Sequence, residues 1–232
     1  MKRVELINLL YLLLPLIVVG YFYAKWVGKR GEILYATFRM VTQLILIGYL
    51  LDYIFNNSYS FLTLLVILIM VTSASFIAFR NISKRDLNLL KYILISIFIG
   101  GTINLILVVY FVLDVNSLNE PRFIIPIAGM VYANSMNAIS LVAERLEKEL
   151  VNKNFFEARA NAFRAALIPQ INAFLAVGLV SLPGMMTGQI LSGINPLIAI
   201  KYQIMVMLMV LGSSGISIII YLSFQKRLNR TS

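Results

Sequence analysis

The sequence predicts an all-α, polytopic membrane protein, and two observations support this prediction. The 232 residues are 60% hydrophobic and only 13% charged, whereas soluble domains average nearer ~25% charged residues. Apolar runs of about 20 residues, the length of a transmembrane helix, recur along the whole chain. Transmembrane strands are disfavoured because no alternating ten-residue pattern occurs. We therefore interpret residues 1–232 as a single transmembrane domain.

The composition also restricts the chemistry of the protein. The chain has no cysteine and no histidine, which excludes disulfides, thiolate sites and imidazole ligands or relays. An intramembrane enzyme is disfavoured because the predicted spans offer few acid or base groups, although Asp52 at the end of a span keeps that class open. The basic residues behind the net charge of +10 lie between apolar runs. We interpret them as topology signals and not as a nucleic-acid-binding surface.

We predict seven membrane-spanning helices from runs of about 17 to 25 apolar residues. The first is interpreted as a retained helix, because no small-residue cleavage site of a signal peptide follows it. Gly100 and Gly101 in the fourth span predict close helix packing. The predicted spans are residues 4–24, 33–55, 61–79, 89–113, 123–142, 168–191 and 198–224.

The basic residues predict the orientation of these spans. Fifteen of the 20 Lys and Arg residues lie in one set of loops, and only Lys2, Arg3, Arg122 and Lys201 lie in the other. Cytoplasmic loops carry the excess of Lys and Arg. We therefore expect a multi-pass protein of the cell membrane, plasma or inner, with its N-terminus outside and its C-terminus in the cytoplasm.

Two spans carry polar residues that are candidates for a translocation path or gate. Arg39 and Gln43 lie one turn apart on one face of the second span. Arg39 is shallow enough to extend to the headgroups, or it is a buried cation near an inner gate. Asn134 and Asn137 in the fifth span are costly against lipid. They either bond to another helix or line a path.

The longest polar stretch, residues 144–164, follows the fifth span. We predict that the preceding helix continues to about Val151, that residues 152–154 form a turn, and that an amphipathic helix runs from Phe155 to Pro169. The apolar side of that helix, which suits a partner groove, consists of Phe155, Phe156, Ala160 and Phe163. An interfacial helix on lipid headgroups is the alternative, which the mixed charge makes less natural.

The sixth predicted span is broken near its far end. Residues 168–193 are apolar but contain Ser181-Leu182-Pro183-Gly184. A proline inside a helix removes a donor and frees the carbonyl four residues earlier, here that of Leu179. The break therefore lines a pathway or is a kink in a packed helix. Alternatively, the small-residue spacing of Gly184, Gly188 and Ser192 predicts a contact between two copies of the chain.

Several segments of the second half of the chain stand out together: Pro126-Ile127-Ala128-Gly129-Met130, Asn134, Met136-Asn137-Ala138, VGLVSLPGMMTGQILSG at residues 177–193, Pro196 and Lys201-Tyr202-Gln203. Together these segments resemble the iron-export ABC transporter permease family, which includes plant aluminium-tolerance permeases. The resemblance covers most of the chain and is most specific in residues 177–188.

The resemblance implies a membrane permease, paired with a second copy, that moves iron outward using a separate ATP-binding subunit. The chain has no G-x-x-x-x-G-K-[ST] loop, so we expect ATP to be bound by the partner and no cofactor in this chain. Glu157-Ala158 resembles part of an ABC coupling helix, so residues 144–167 are the expected coupling segment. The glycine that follows in importers is missing, so the resemblance carries over docking and not the importer direction.

A metal substrate is permitted by the composition, but its ligands remain unknown. Only carboxylates, carbonyls, amides and thioethers are available, and only thioethers are soft ligands. The thioethers near the predicted path are Met130, Met136, Met185 and Met186, which also fit a packing role. A stand-alone ion channel or secondary carrier built on the broken helix is the alternative function.

Overall fold

The computed structural model describes residues 5–57, 59–80, 82, 86–115 and 120–231, apart from the side chains of Leu6, Asn57 and residues 227–231. Every regular element in these ranges is a helix, which confirms the predicted all-α class. A 3-10 helix (Leu6–Leu12) precedes α1 and a π-helix (Leu107–Val112) extends α4. The α-helices are α1 (Leu13–Val27), α2 (Glu32–Asn57), α3 (Ser60–Arg80), α4 (Leu87–Ile106), α5 (Pro121–Glu149), α6 (Phe155–Ala176), α7 (Gly184–Leu191) and α8 (Pro196–Thr231).

Six of the seven predicted spans correspond to helices that are long and apolar enough to cross a membrane. The predicted span 168–191 is different, because α6 ends at Ala176 and α7 begins only at Gly184. Gly178 adopts a left-handed φ of 81° there, which glycine tolerates better than any other residue. The break is therefore a turn of seven residues and not a kink within one helix.

The two prolines of this region have the opposite roles to those predicted. Pro169 lies inside α6 and does not end it. Pro183 precedes α7 at its N-cap with a φ of −62°, outside any helix, so the expectation that it frees a helical carbonyl of Leu179 is wrong. Proline suits the start of a helix, because the first N–H groups have no intrahelical partner there.

The chain separates into two compact units, Met1–Asn57 and Ser58–Ser232. In the first, α1 and α2 are joined by a short turn in which Gly28 and Gly31 have left-handed φ angles of 78° and 84°. The Tyr23 hydroxyl donates a hydrogen bond of 2.7 Å to Glu32 across this turn. That bond connects the end of α1 to the start of α2.

In the second unit, α5 is the central helix and contacts α3, α4, α6 and α8. Its side chains Val131, Tyr132, Ile139 and Val142 are completely buried. In lipid, association of helices depends on close packing more than on the hydrophobic effect. Small residues that allow close packing around α5 are therefore important for the association of the helices in this unit.

The predicted close packing of Gly100 and Gly101 is confirmed. A Cβ on Gly100 would lie 2.6 Å from the backbone nitrogen of Ser217 in α8. A Cβ on Gly101 would lie 2.5 Å from the ring of Tyr132 in α5. Both distances are shorter than van der Waals contact, so α4 can approach its two neighbours only because these residues are glycine.

We expect Gly100→Ala to destabilise the protein by about 2 kcal/mol, because the added methyl group meets backbone that cannot rotate away. The readout is thermal unfolding of the purified chain in detergent. Gly215→Ala in α8 is the matched control, because a Cβ there meets no atom within 4 Å, and it should keep or slightly raise stability. Equal stability of the two variants would contradict the close packing of α4 on α8.

Candidate translocation and coupling site

The polar segment between α5 and α6 folds as predicted, with a helix, a turn and a second helix. α5 ends at Glu149 and α6 begins at Phe155. The side-chain oxygen of Asn154 accepts a 3.0 Å hydrogen bond from the backbone nitrogen of Glu157. Asparagine is a strong N-cap because it satisfies a donor that has no intrahelical partner. The local sequence therefore determines where α6 starts.

Glu149 holds this turn together. Its carboxylate is only 8% exposed and accepts from Lys153 at 2.6 Å and from Asn161 of α6 at 2.8 Å. Arg145 adds an ion pair at 2.5 Å. A buried carboxylate with three donors, two of them cations, has its charge compensated and its hydrogen-bonding capacity satisfied. Glu149 thus fixes α5, the turn and α6 in one arrangement.

The donors also set the ionisation of Glu149, which lies beyond the apolar part of α5. The hydrogen bonds from Lys153 and Asn161 lower its pKa from the ordinary 4.5 to about 2, against the opposing effect of desolvation. A depressed carboxyl pKa contributes stability that is complete above 4.5 and is lost as the pH falls towards 2. The turn is therefore held by an ionised carboxylate throughout the physiological range.

The five predicted coupling residues divide into two groups. Ala158 is completely buried, and Phe155 and Phe163 pack against the core. Phe156 is 58% exposed, and Glu157 is exposed as well. A partner could thus reach Phe156 and Glu157 directly, whereas the side chain of Ala158 lies inside the chain.

Two cations flank the exposed ring of Phe156. The Arg159 guanidinium carbon lies 5.4 Å from the ring centroid and the Lys226 ammonium lies 5.3 Å from it. Both distances are within the range of a cation–π interaction. Lys226 comes from the far end of α8, so sequence reasoning had no signal for its presence here. The exposed ring of Phe156 is therefore flanked by two positively charged side chains.

The broken segment borders a cavity. Its volume is about 520 Å³. Among its lining residues are Phe174 of α6, Leu182 of the turn, Met186 of α7, and Gln203 and Met207 of α8. Of the predicted path residues, Met186 lines it directly. Gln203 was noted only as part of the family resemblance, and the signal that marks it is an amide near the start of the predicted seventh span, two residues after Lys201.

The other candidates in the break lie close by. Pro183 and Met185 are half-buried, and Ser181 is exposed. Added Cβ atoms at Gly184 and Gly188 would meet no atom within 4 Å, and the Ser192 hydroxyl donates to the Gly188 carbonyl at 2.8 Å. The small-residue face of α7 is therefore open in the single chain.

The polar candidates of the second and fifth spans have surroundings of their own, and Asn134 and Asn137 are not among the residues that line this cavity. Arg39 is half-buried and Gln43 is exposed on α2 in the first unit. The Asn134 amide donates to Met130 of its own helix at 2.8 Å, while Asn137 is exposed on α5. Because an exposed asparagine is costly against lipid, the Asn137 face of α5 suits water or protein better than acyl chains.

Among the residues that the structure describes, the acidic side chains do not form a cluster that could bind a metal ion. In the part of the chain that the structure describes, no group of three or more acidic residues could hold a metal ion. The sequence contains no cysteine or histidine to replace them.

Comparison with known proteins identifies the family. The sequence profile of UPF0014, described as an uncharacterised protein family, matches residues 6–228. The protein named probable iron export permease protein FetB, of Escherichia coli, is 36% identical over 95% of this chain and 90% of its own length. UPF0014 membrane protein slr1647 of Synechocystis is 34% identical over 84% of this chain and 82% of its own.

A plant protein is also similar to this chain. Protein ALUMINUM SENSITIVE 3 of Arabidopsis thaliana is 33% identical over 89% of this chain and 80% of its own length. No solved structure matches the chain. These relatives confirm the resemblance that the segments around Pro126 and Pro183 predict. Since the profile and the relatives cover nearly the whole sequence, this chain belongs to the UPF0014 family of multi-pass membrane proteins.

Proposed function

We propose that this chain is the permease subunit of an ABC exporter that moves a metal ion such as iron out of the cytoplasm. The observation that carries the proposal is the similarity to a protein named a probable iron export permease, over 95% of this chain. In this proposal ATP drives the transport. A separate subunit hydrolyses the ATP, because this sequence has no phosphate-binding loop of its own.

The surface around Phe156 supports a docked ATPase. An exposed aromatic ring is a typical anchor of a protein interface, and here it lies at the start of α6 beside Arg159 and Lys226. Arg145 and Lys148, 50% and 66% exposed, are paired with Glu149 and Glu144, so Arg159 and Lys226 supply the positive charge beside the ring. The partner that fits has an apolar pocket with an acidic rim.

A second copy of the permease completes the assembly. The open face of Gly184 and Gly188 allows close backbone approach of another α7. The strongly exposed Leu179 and Val180 of the adjoining turn extend that face with apolar surface. This face contacts the second copy rather than lipid.

A stand-alone channel or secondary carrier is the second candidate. It is favoured by the interruption between α6 and α7 beside a cavity, because interrupted helices often form ion sites in carriers. The two candidates differ in their energy source.

Transport into vesicles distinguishes the two energy sources. Inside-out vesicles that contain the chain and its candidate ATPase should accumulate iron when ATP is added, and should not do so without ATP. The measurement is metal uptake across a panel of ions. Uptake that ignores ATP but follows an imposed ion gradient would reject the ABC proposal in favour of the carrier.

We expect Phe156→Asp to reduce co-purification of the ATPase at least about tenfold, because the change removes the apolar anchor of the interface. Leu87→Asp is the control. It also introduces a carboxylate at an exposed apolar residue in a segment predicted to be cytoplasmic, and an acidic residue is favourable at the start of α4. If both variants retain the ATPase equally, docking at α6 is wrong.

Gly188→Leu should dissociate the paired permease, because a large side chain separates two closely packed backbones. Size-exclusion chromatography with light scattering measures the assembly. Gly48→Leu in α2, also in open space, should remain paired. Transport lost from an intact Gly188→Leu pair would assign the α7 face to the path instead.

A further inference from the structure

Two apolar side chains protrude from the turn between α6 and α7. Leu179 is 90% exposed and Val180 is 84% exposed, more than any other large apolar side chain that the structure describes. The turn interrupts the predicted sixth span, and irregular backbone at membrane depth occurs only where protein covers it or where it lines a water-filled cavity. Two exposed apolar side chains do not suit water. The tip of the turn therefore needs a protein cover.

An open apolar cavity lies beside this tip. Gly178 and Leu182, which flank the tip in the sequence, line the cavity, whereas Leu179 and Val180 do not line the cavity of their own chain. The other lining side chains are apolar except for Gln203. An unfilled volume of about 520 Å³ leaves these side chains without packing partners on one side, so dispersion attraction is lost. The cavity therefore lacks an apolar occupant.

A protrusion next to a cavity makes this surface self-complementary. Two identical chains related by a two-fold axis use the same patch on both sides of their contact, so each protrusion can enter the cavity of the other chain. The patch also continues the proposed contact between copies. Gly184 and Gly188, where an added Cβ meets no atom within 4 Å, belong to the same short helix as Met186, which lines the cavity.

We propose that Leu179 and Val180 of each chain insert into the cavity between α6, α7 and α8 of a second copy. The inference rests on the paired permease of the proposed function and adds which residues meet. Each insertion covers the tip of one turn and fills the cavity of the other chain. Helix association in lipid depends on such packing, because lipid leaves little hydrophobic driving force between helices.

Cross-linking of single-cysteine variants tests the insertion, because the chain has no cysteine of its own. Leu179→Cys and Ile204→Cys are co-expressed with different affinity tags, and a short bifunctional maleimide is added to the membranes. Ile204 lines the cavity and is 55% exposed in the single chain. Since each chain carries one thiol, a product with both tags joins two chains. We expect this product.

Phe111→Cys is the matched control for Leu179→Cys. Phe111 is also a strongly exposed apolar residue, at 78%, and it lies near the outer end of the predicted fourth span, but it does not line the cavity. Combined with Ile204→Cys, it should give no product with both tags. This control separates insertion of the turn from random collision of exposed thiols in the membrane.

Truncation of the protruding side chains tests their part in the pairing. Leu179→Ala combined with Val180→Ala should raise the dissociation constant of the pair at least about tenfold, because the side chains that fill the cavity are lost. Light scattering after size-exclusion chromatography measures the pair. The melting temperature of the single chain should not fall, since both side chains are exposed there. Phe111→Ala combined with Val112→Ala, also exposed, should leave the pair unchanged.

The proposal is overturned if Leu179→Cys and Ile204→Cys give no product with both tags while light scattering still shows a pair. The tip would then be covered by α1 and α2 or by lipid, and the paired permease would stand. No product together with a single chain would overturn both the insertion and the pairing. A product with both tags, in vesicles that show no ATP-driven transport, would support the insertion and reject the exporter.

Discussion

The backbone of this protein must satisfy its own hydrogen bonds, because lipid offers none. Helices meet that requirement residue by residue, and the described chain is helical along nearly all of its length. The turn from Val177 to Pro183 is the instructive departure. The backbone nitrogen of Gly178 donates to the Ser181 carbonyl at 3.0 Å, and that of Val180 donates to the Ala176 carbonyl at 2.8 Å. The turn therefore forms hydrogen bonds of its own where it interrupts the predicted sixth span.

The conformation of this turn also explains why the residues around the break are apolar. Leu179 is 90% exposed at its tip, while the backbone N–H groups of Gly178 and Val180 donate to carbonyls of the same turn. An irregular segment in contact with lipid or a second copy needs this arrangement. Gly178 is the residue that permits it, because its left-handed φ of 81° is costly for side chains that carry a Cβ.

α6 links the proposed docking surface around Phe156 to the cavity that Phe174 lines. Its 22 residues run from Phe155 to Ala176. At 1.5 Å per residue this is about 33 Å. Glu149 and Asn161 secure its first turns to α5, and Ala162 and Ala166 are completely buried along its length. A helix secured in this way can move as a rigid body, which is what the proposed coupling between an ATPase and a translocation path requires.

The sequence by itself determined the fold class, six of the spans, and the helix, turn and helix around residues 144–164. These features are local, since apolar runs, N-caps and turn residues act over a few neighbours. Gly100 and Gly101 were also predictable as packing residues, although not their contacts with Ser217 and Tyr132. A run such as 168–191 is different, because its composition fits one helix as well as two helices and a turn.

Only the tertiary structure decided how distant segments meet. Burial of Ala158 and exposure of Phe156 depend on which side of α6 packs against α5 and α8. The position of Lys226 beside Phe156 depends on the full length of α8. The meeting of Leu182, Met186 and Gln203 around one cavity depends on how the turn after α6 and the helix α7 pack against α8. Periodicity places residues on a helix face, but the packing of one helix against another determines what that face meets.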